Sequence, residues 1–259
     1  MRITHAIWEL DNLGVDAWEI TLDADDGPEA LALEEKKLIR GGAQYIVVKT
    51  PVNCPPLLFG LPKLGYAFVE TVFRVTIKRS EYRPSALLAR FDRGLSVAER
   101  AQGPELQRIL DTVRGGVFVS DRIAIDPAFG VSRSGVRYAN WLRSLFERGG
   151  KVYEVMLESA CVAEAKPLGF FVITRLDGAT VDPMLMGLYH GQKDRGMGAL
   201  LHKKMMDTCF TWDCERLQST IVSNNAGVLR VYVNAGAAIS DTMYTYVKHA
   251  GGRAEREFR

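Results

Sequence analysis

Residues 188–199 read Leu188-Tyr189-His190-Gly191-Gln192-Lys193-Asp194-Arg195-Gly196-Met197-Gly198-Ala199. An apolar strand, Met184 to His190, feeds a basic, glycine-containing turn, and a helix from Met197 to about Phe210 follows. Helix N-termini present unpaired amides and partial positive charge, and glycine lets the backbone approach an oxygen-rich anion closely. Lys193 and Arg195 would add charge-assisted contacts. These are the requirements of a pyrophosphate site. The segment is not the GxxxxGK[ST] loop, and Leu201 stands where the GxGxxG fingerprint needs its third glycine. Taken alone, Gly196-x-Gly198 at a helix start also describes an ordinary strand–helix turn.

One strand–helix–strand interval later comes Asn224-Asn225-Ala226-Gly227-Val228-Leu229-Arg230-Val231-Tyr232. Asn224 or Asn225 suits a helix N-cap. Tyr232 follows Asn225 by seven residues, two turns on along roughly one helix face. An isolated tyrosine there reads as core; following the glycine turn, it also reads as a functional group.

Working outward, the second half predicts a helix over 132–148 and strands over 152–157 and 166–175. An Asp177-Gly178 turn follows, then the segments above, with a strand over 217–222, a helix over 226–234 and a tail strand to His249. The first third alternates in the same way. It predicts a strand at Trp18–Leu22, a helix opened by Pro28 and closed by Gly41, and a strand at Gln44–Lys49. A short helix at Leu57–Leu64 and a strand at Phe68–Lys78 complete it. The two halves read as two versions of one strand–helix plan, with no repeat by period. From Arg83 to Arg114 six arginines are interleaved with four acids, Asp92, Glu99, Glu105 and Asp111. That stretch reads as a solvated linker and an amphipathic helix ending at Gly115-Gly116, or as a basic face. The expected domains are therefore 1–79, 80–115 and 116–259.

The 259 residues are 47% hydrophobic and 25% charged, with 33 basic and 31 acidic side chains, which excludes disorder. No apolar run reaches the roughly 18 residues that a membrane span needs. A net charge of +2 leaves no whole-chain footprint for nucleic acid or membrane. Met1-Arg2-Ile3-Thr4-His5 lacks the pattern of a secretory leader, so a cytoplasmic location is expected. Cys54, Cys161, Cys209 and Cys214 form no CxxC pair and stand beside no histidine at ligand spacing. Buried free thiols are expected, with no metal.

Together these residues resemble the GNAT superfamily of acyl-CoA N-acyltransferases. The family's Gln/Arg-x-x-Gly-x-Gly/Ala pyrophosphate motif is matched by Lys193-Asp194-Arg195-Gly196-Met197-Gly198, with lysine as a departure at the first position. Its Asn-x6-Tyr helix is matched by Asn225 and Tyr232. The Leu-Gly-Phe that usually follows is replaced by Asn234-Ala235-Gly236-Ala237. Within the superfamily the chain is similar to the TDP-fucosamine acetyltransferase group, on Phe118, Asp121, Arg122, Asp126, Pro127, Tyr138 and Trp141. The lobe's opening motif, Trp8 to Gly14, is only loosely kept.

The resemblance implies an α/β GNAT fold: a mixed central sheet with flanking helices, plus a smaller GNAT-like N-terminal lobe that helps shape the acceptor pocket. It implies acetyl-CoA or another acyl-CoA as donor, bound by Gly187, Leu188, Tyr189, residues 193–198 (Lys193, Asp194, Arg195, Gly196, Met197, Gly198) and Asn225. Backbone amides of Gly187, Leu188 and Tyr189 would serve the pantetheine arm and the oxyanion. Tyr232 would be the catalytic acid, since a phenol near pKa 10 stays protonated at neutral pH and can serve a thiolate. His190, Asp182 or a water chain would take the amine's proton. The acceptor implied is a primary amine of a small molecule, such as an amino sugar nucleotide, attacked directly in a ternary complex. No membrane partner is expected, a homodimer is compatible, and an aminoacyl-tRNA donor is the one nucleic-acid partner left open. The other reading is a non-catalytic acyl-CoA-binding module, which the altered segment after Tyr232 motivates.

Overall fold

The computed structural model describes residues 1–100, 102–158, 165–190 and 196–250. The N-terminal half runs β1 (Arg2–His5), α1 (Trp8–Leu13), β2 (Ala17–Thr21), α2 (Pro28–Arg40), β3 (Tyr45–Pro51), α3 (Pro55–Lys63) and β4 (Ala67–Lys78). Then come α4 (Ala86–Phe91), β5 (Leu95–Glu99), α5 (Pro104–Arg114), α6 (Arg122–Ile125) and α7 (Gly130–Glu147). The rest is β6 (Lys151–Leu157), β7 (Lys166–Arg175), β8 (Thr180–Leu188), α8 (Met197–Phe210), β9 (Arg216–Val222), α9 (Ala226–Asn234) and β10 (Ala238–His249). All ten strands form one sheet, in the order β1-β2-β3-β10-β4-β9-β8-β7-β6-β5.

That order has a mirror in it. About the antiparallel β4–β10 pair, β3 corresponds to β9, β2 to β8 and β1 to β7. The pairings match too: β2–β3 and β8–β9 are parallel, while β3–β10 and β4–β9 are antiparallel. The halves β2-α2-β3-α3-β4 and β8-α8-β9-α9-β10 are thus two copies of one plan that have exchanged their last strands. Each exchanged strand is twelve residues long, enough to pair on both sides. The boundaries expected at 79/80 and 115/116 therefore divide the sequence, while one continuous ladder runs across them.

One sequence expectation is corrected here, and one element that the sequence did not suggest is added. The charged stretch 80–115 holds α4 and β5 as well as α5. β5 pairs with β6 through Leu95↔Leu157 to Glu99↔Tyr153. It escaped notice because an edge strand with only Leu95 and Val97 facing a core shows too little apolar alternation. The Trp8–Leu13 segment is a helix whose left-handed cap is Gly14, at φ 73°. At six residues it offers too few turns for a 3.6 period to register.

The sheet is covered on both faces. α8 and α9 pack one side of the C-terminal half, through Leu201, Met205 and Tyr232 against Val75, Phe171 and Leu217. α5 and α7 cover the other side, through Ile109, Leu142 and Leu145 against Phe170, Val172 and Leu185. Cys54, Cys209 and Cys214 are buried free thiols, and Cys161 lies outside the described residues. Among the described residues no helix is long and apolar enough to cross a membrane.

Candidate active site

The site begins where a ladder fails. Parallel β8 and β9 pair only at Thr180↔Arg216 and Val181↔Leu217, then separate. Two features of β8 favour the parting. Pro183 has no N–H to give a ladder, and the register with β7 slips between Val172↔Leu185 and Ile173↔Pro183, leaving Met184 as an extra residue. A bulge of this kind bends its strand and re-aims side chains. In the N-terminal half the corresponding strands stay paired over five positions, Ala17↔Tyr45 to Thr21↔Lys49, so no gap opens there.

The gap exposes backbone. Tyr189 donates its N–H to the Leu168 carbonyl at 3.1 Å, so its amide is spent in the β7 ladder. Strand alternation gives Gly187 the same direction and turns Met186 and Leu188 toward the open side. Of the amides expected from sequence, that of Leu188 faces the gap, as does that of Met186, while those of Gly187 and Tyr189 face β7. Gly187 has a different duty: a Cβ there would lie 2.8 Å from the Phe170 ring. The phenol of Tyr189 is turned inward and donates to buried Glu154 at 2.7 Å.

Opposite the gap, Gly196 caps α8 in the left-handed conformation, φ 70°, and Met197 opens the helix. Among the described residues a Cβ on Gly196 would meet nothing within 4 Å, and one on Gly198 only Leu188 at 3.9 Å, which leaves room for a ligand there. Lys193, Asp194 and Arg195 lie outside the described residues. The equivalent turn after β2 carries Asp23, Asp25 and Asp26, the wrong sign for a phosphate.

A cavity of about 970 Å³ fills the gap and continues beneath α1 and α7. Asp182, Met186, His202, Ser219, Asn225 and Tyr232 line its inner part. Tyr232 is 2% exposed, and burial pushes its phenol well above the usual tyrosine range, with the Ser219 hydroxyl pulling the other way. The Ser219 hydroxyl also reaches across to the Pro183 carbonyl at 3.3 Å, where the two strands no longer pair. Asp182 has no cation beside it among the described residues, and burial raises its carboxyl to about 7. Asn225 sits at the N-cap position of α9 but makes no side-chain cap bond. The expected cap is therefore absent, and the amide faces the cavity instead.

His202 was not singled out from sequence. One helical turn after Gly198, it makes a 2.7 Å bond from Nδ1 to the Gly198 carbonyl, and its ring meets Tyr232 edge-on at 5.9 Å. Burial lowers its pKa to about 4, so the ring is neutral, with Nδ1 donating. Nε2 is left as a buried acceptor with no partner. His190, by contrast, is exposed at the end of β8 and lies outside the cavity lining.

The outer part of the cavity is polar and comes from both halves. Glu19, Lys49 and Glu70 rise from the N-terminal strands, facing Arg122, Arg137, Tyr138 and Trp141. Phe118, Tyr138 and Trp141 meet in succession with their rings tilted, at centroid separations of 4.6 and 5.8 Å. Asp121 and Asp126 are structural. Asp121 caps α6 through the Ile123 amide at 2.8 Å and takes the Ser134 hydroxyl at 2.7 Å. Asp126 pairs with His249 at 2.8 Å.

No family model matches the chain, and no curated protein sequence matches it. Among solved structures it is similar to a GCN5-related N-acetyltransferase from Kribbella flavida, at 14% identity and TM-score 0.56, over 92% of this chain and 83% of that one. A functionally unknown conserved protein from Staphylococcus epidermidis gives 13% identity and TM-score 0.59, over 90% and 84%. A tandem GNAT protein from the clavulanic acid biosynthesis pathway gives 12% identity and TM-score 0.52, over 86% and 68%. These are likenesses of fold. The chain has the GNAT fold, with a large mixed sheet, flanking helices and two lobes.

Proposed function

We propose that the protein is an N-acyltransferase that moves an acetyl or other acyl group from acyl-CoA to a primary amine of a small molecule. One observation carries this: the β8–β9 gap brings Asp182 and Tyr232 to one cavity, which His202 of the glycine-capped helix α8 also lines. The donor supplies a thioester. Its pyrophosphate fits the α8 N-terminus, where Gly196 and Gly198 leave room and Lys193 and Arg195 add charge. The Met186 and Leu188 amides face the arm that lies along β8.

The chain's own groups then handle two protons. Asp182 takes one from the incoming ammonium, freeing the lone pair that attacks the carbonyl. The C–N bond forms, the C–S bond breaks, Tyr232 gives the departing thiolate its proton, and the second proton of the acylated nitrogen returns to the Tyr232 phenolate. A phenol raised by burial is a reluctant donor, so the transient phenolate needs help. The Ser219 proton supplies it by turning from the Pro183 carbonyl toward Tyr232, as a hydroxyl rotor can. Ser219→Ala is expected to lower kcat about fivefold, the worth of one hydrogen bond near 1 kcal/mol, with little change in acyl-CoA affinity.

Gly196→Glu tests the donor site. It forces a side chain into a left-handed position and sets a carboxylate where phosphates would lie. Calorimetry should show CoA affinity falling by about tenfold or more. Unchanged affinity would place the donor elsewhere.

The altered segment after Tyr232 has a packing explanation. Gly236 is at φ 99°, and a Cβ there would lie 2.3 Å from the Glu81 carbonyl. The segment receives the chain leaving β4, and Arg83 donates its amide to Ala235 at 2.9 Å. It supports no loss of turnover. As to the acceptor, an amino sugar nucleotide needs free cations for its diphosphate. Of the cations lining the cavity, Lys49, Arg122 and Arg137 are each already bonded to a glutamate, which leaves exposed Arg148 as the one in no ion pair among the described residues.

A further inference from the structure

We infer that Glu70 forms a cation subsite at the outer end of the cavity, and that the acceptor is an aliphatic diamine or polyamine whose second ammonium rests there. This deepens the acyl-transfer reading and rests on it for the chemistry at the other end.

Glu70 lines the cavity from β4, yet is only 4% exposed. Its Oε2 has no hydrogen-bond partner, and no cation lies within ion-pair distance of it among the described residues. Neighbouring acids each have a partner on at least one oxygen, although Glu9 Oε2 is itself unpaired among the described residues. Glu9 takes Arg137 at 2.7 Å, and Glu19 takes Arg122 at 2.9 Å and Lys49 at 3.2 Å. Asp121 is held by backbone amides and Ser134. Counting only the buried and half-buried charges of this group, and so leaving out exposed Asp11 and Arg148, the ionised forms of Glu9, Glu19, Glu70 and Asp121 carry four negative charges, against three positive from Lys49, Arg122 and Arg137. The surplus charge is the one on the carboxylate without a partner.

A buried carboxylate left alone is destabilised, and burial raises the Glu70 carboxyl above its usual range. An ammonium settling on it would restore neutrality and supply donors. Arg122 Nε also lacks a partner, so a hydroxyl bridging Glu70 and Arg122 is the competing occupant. The surplus charge favours the cation.

Register gives the spacing. Ser219, beside Tyr232, pairs with Val75, and Glu70 lies five residues further along β4. Five is odd, so Glu70 faces the side of the sheet opposite Ser219, and at about 3.3 Å per residue the two lie roughly 16 Å apart along the strand; an acceptor that serves both passes through the β8–β9 gap and must be long.

The test is an acceptor series at fixed acyl-CoA: aliphatic diamines of increasing length, with amino alcohols and monoamines of the same lengths. Thiol release reads turnover, and calorimetry reads amine binding directly. Long diamines are expected to exceed matched amino alcohols about tenfold in kcat/KM, mainly through KM. In Glu70→Gln that preference should shrink to about twofold or less. Equal rates for amino alcohols and diamines in the unaltered protein would overturn the subsite, and so would a preference that survives Glu70→Gln. The unaltered series decides the matter if the variant does not fold. If diamines bind in a Glu70-dependent way but no amine is acylated, the subsite stands and the acyl-transfer reading falls. If diamines neither bind nor react, the subsite falls.

Discussion

Tyr232→Phe is expected to lower kcat by about 10²- to 10³-fold, within the range for losing a positioned general acid, while CoA affinity stays near its original value. The substitution removes one oxygen from a side chain that is 2% exposed and otherwise packed against the α8 core. Its ring contacts, including the edge-on meeting with His202, remain. The fold should therefore tolerate it, and a melting temperature within a few degrees of the original would confirm that. What disappears is the proton for the leaving thiolate. Without it the C–S bond must break to a bare thiolate, or to one protonated by whatever water reaches the gap. A donor with a more acidic thiol, which needs less help to leave, should lose less from Tyr232→Phe than CoA does. Unchanged turnover would remove Tyr232 from the mechanism. Failure to turn over any amine by the unaltered protein, with CoA still bound, would favour the binding-module reading.

The repeating plan was legible because long elements carry their own period. α8 and α9 begin and end where glycine, asparagine and apolar spacing place them, and β7 runs from Lys166 to Arg175 as read. The exchange of β4 and β10 was not legible. Both read correctly as strands, but nothing local tells a strand which half of a sheet it will join. That choice is made by pairing over twelve residues, a non-local energy. The candidate site divides in the same way. Gly196, Gly198, Asn225 and Tyr232 could be found because they sit at fixed offsets along two helices. Met186 could not, because the bulge at Met184 decides which amides face the gap. His202 and Glu70 gave no signal either. One is an ordinary helical position, and the other an ordinary polar residue of an alternating strand. Each gains meaning only when the cavity closes over an atom that has no partner.

Asp182→Asn is expected to cost about 10²- to 10³-fold in kcat/KM and, at the same time, to make the protein more stable at neutral pH. Both follow from a carboxyl raised to about 7 by burial with no cation to offset it. In catalysis the carboxylate is the useful form, so kcat/KM should rise with pH through about 7 and level off above it. An intrinsic fall in the ammonium fraction of the acceptor would instead continue toward higher pH, which separates the two causes. In Asp182→Asn the limb at about 7 should vanish. For stability the sign is reversed. Between the unfolded value near 4 and the folded value near 7 the native state binds more protons, so stability falls as pH rises through that window. Above it the folded protein carries the whole penalty, about 4 kcal/mol from a shift of roughly three units. Asparagine keeps the shape and cannot ionise, so it should recover much of that, raising the melting temperature at pH 8 and changing it little at pH 4. A variant that melts higher while turning over slower is the mark of a strained catalytic group rather than a structural one. Were Asp182 structural, removing its charge would lower the melting temperature at pH 8 and leave the pH–rate profile in place.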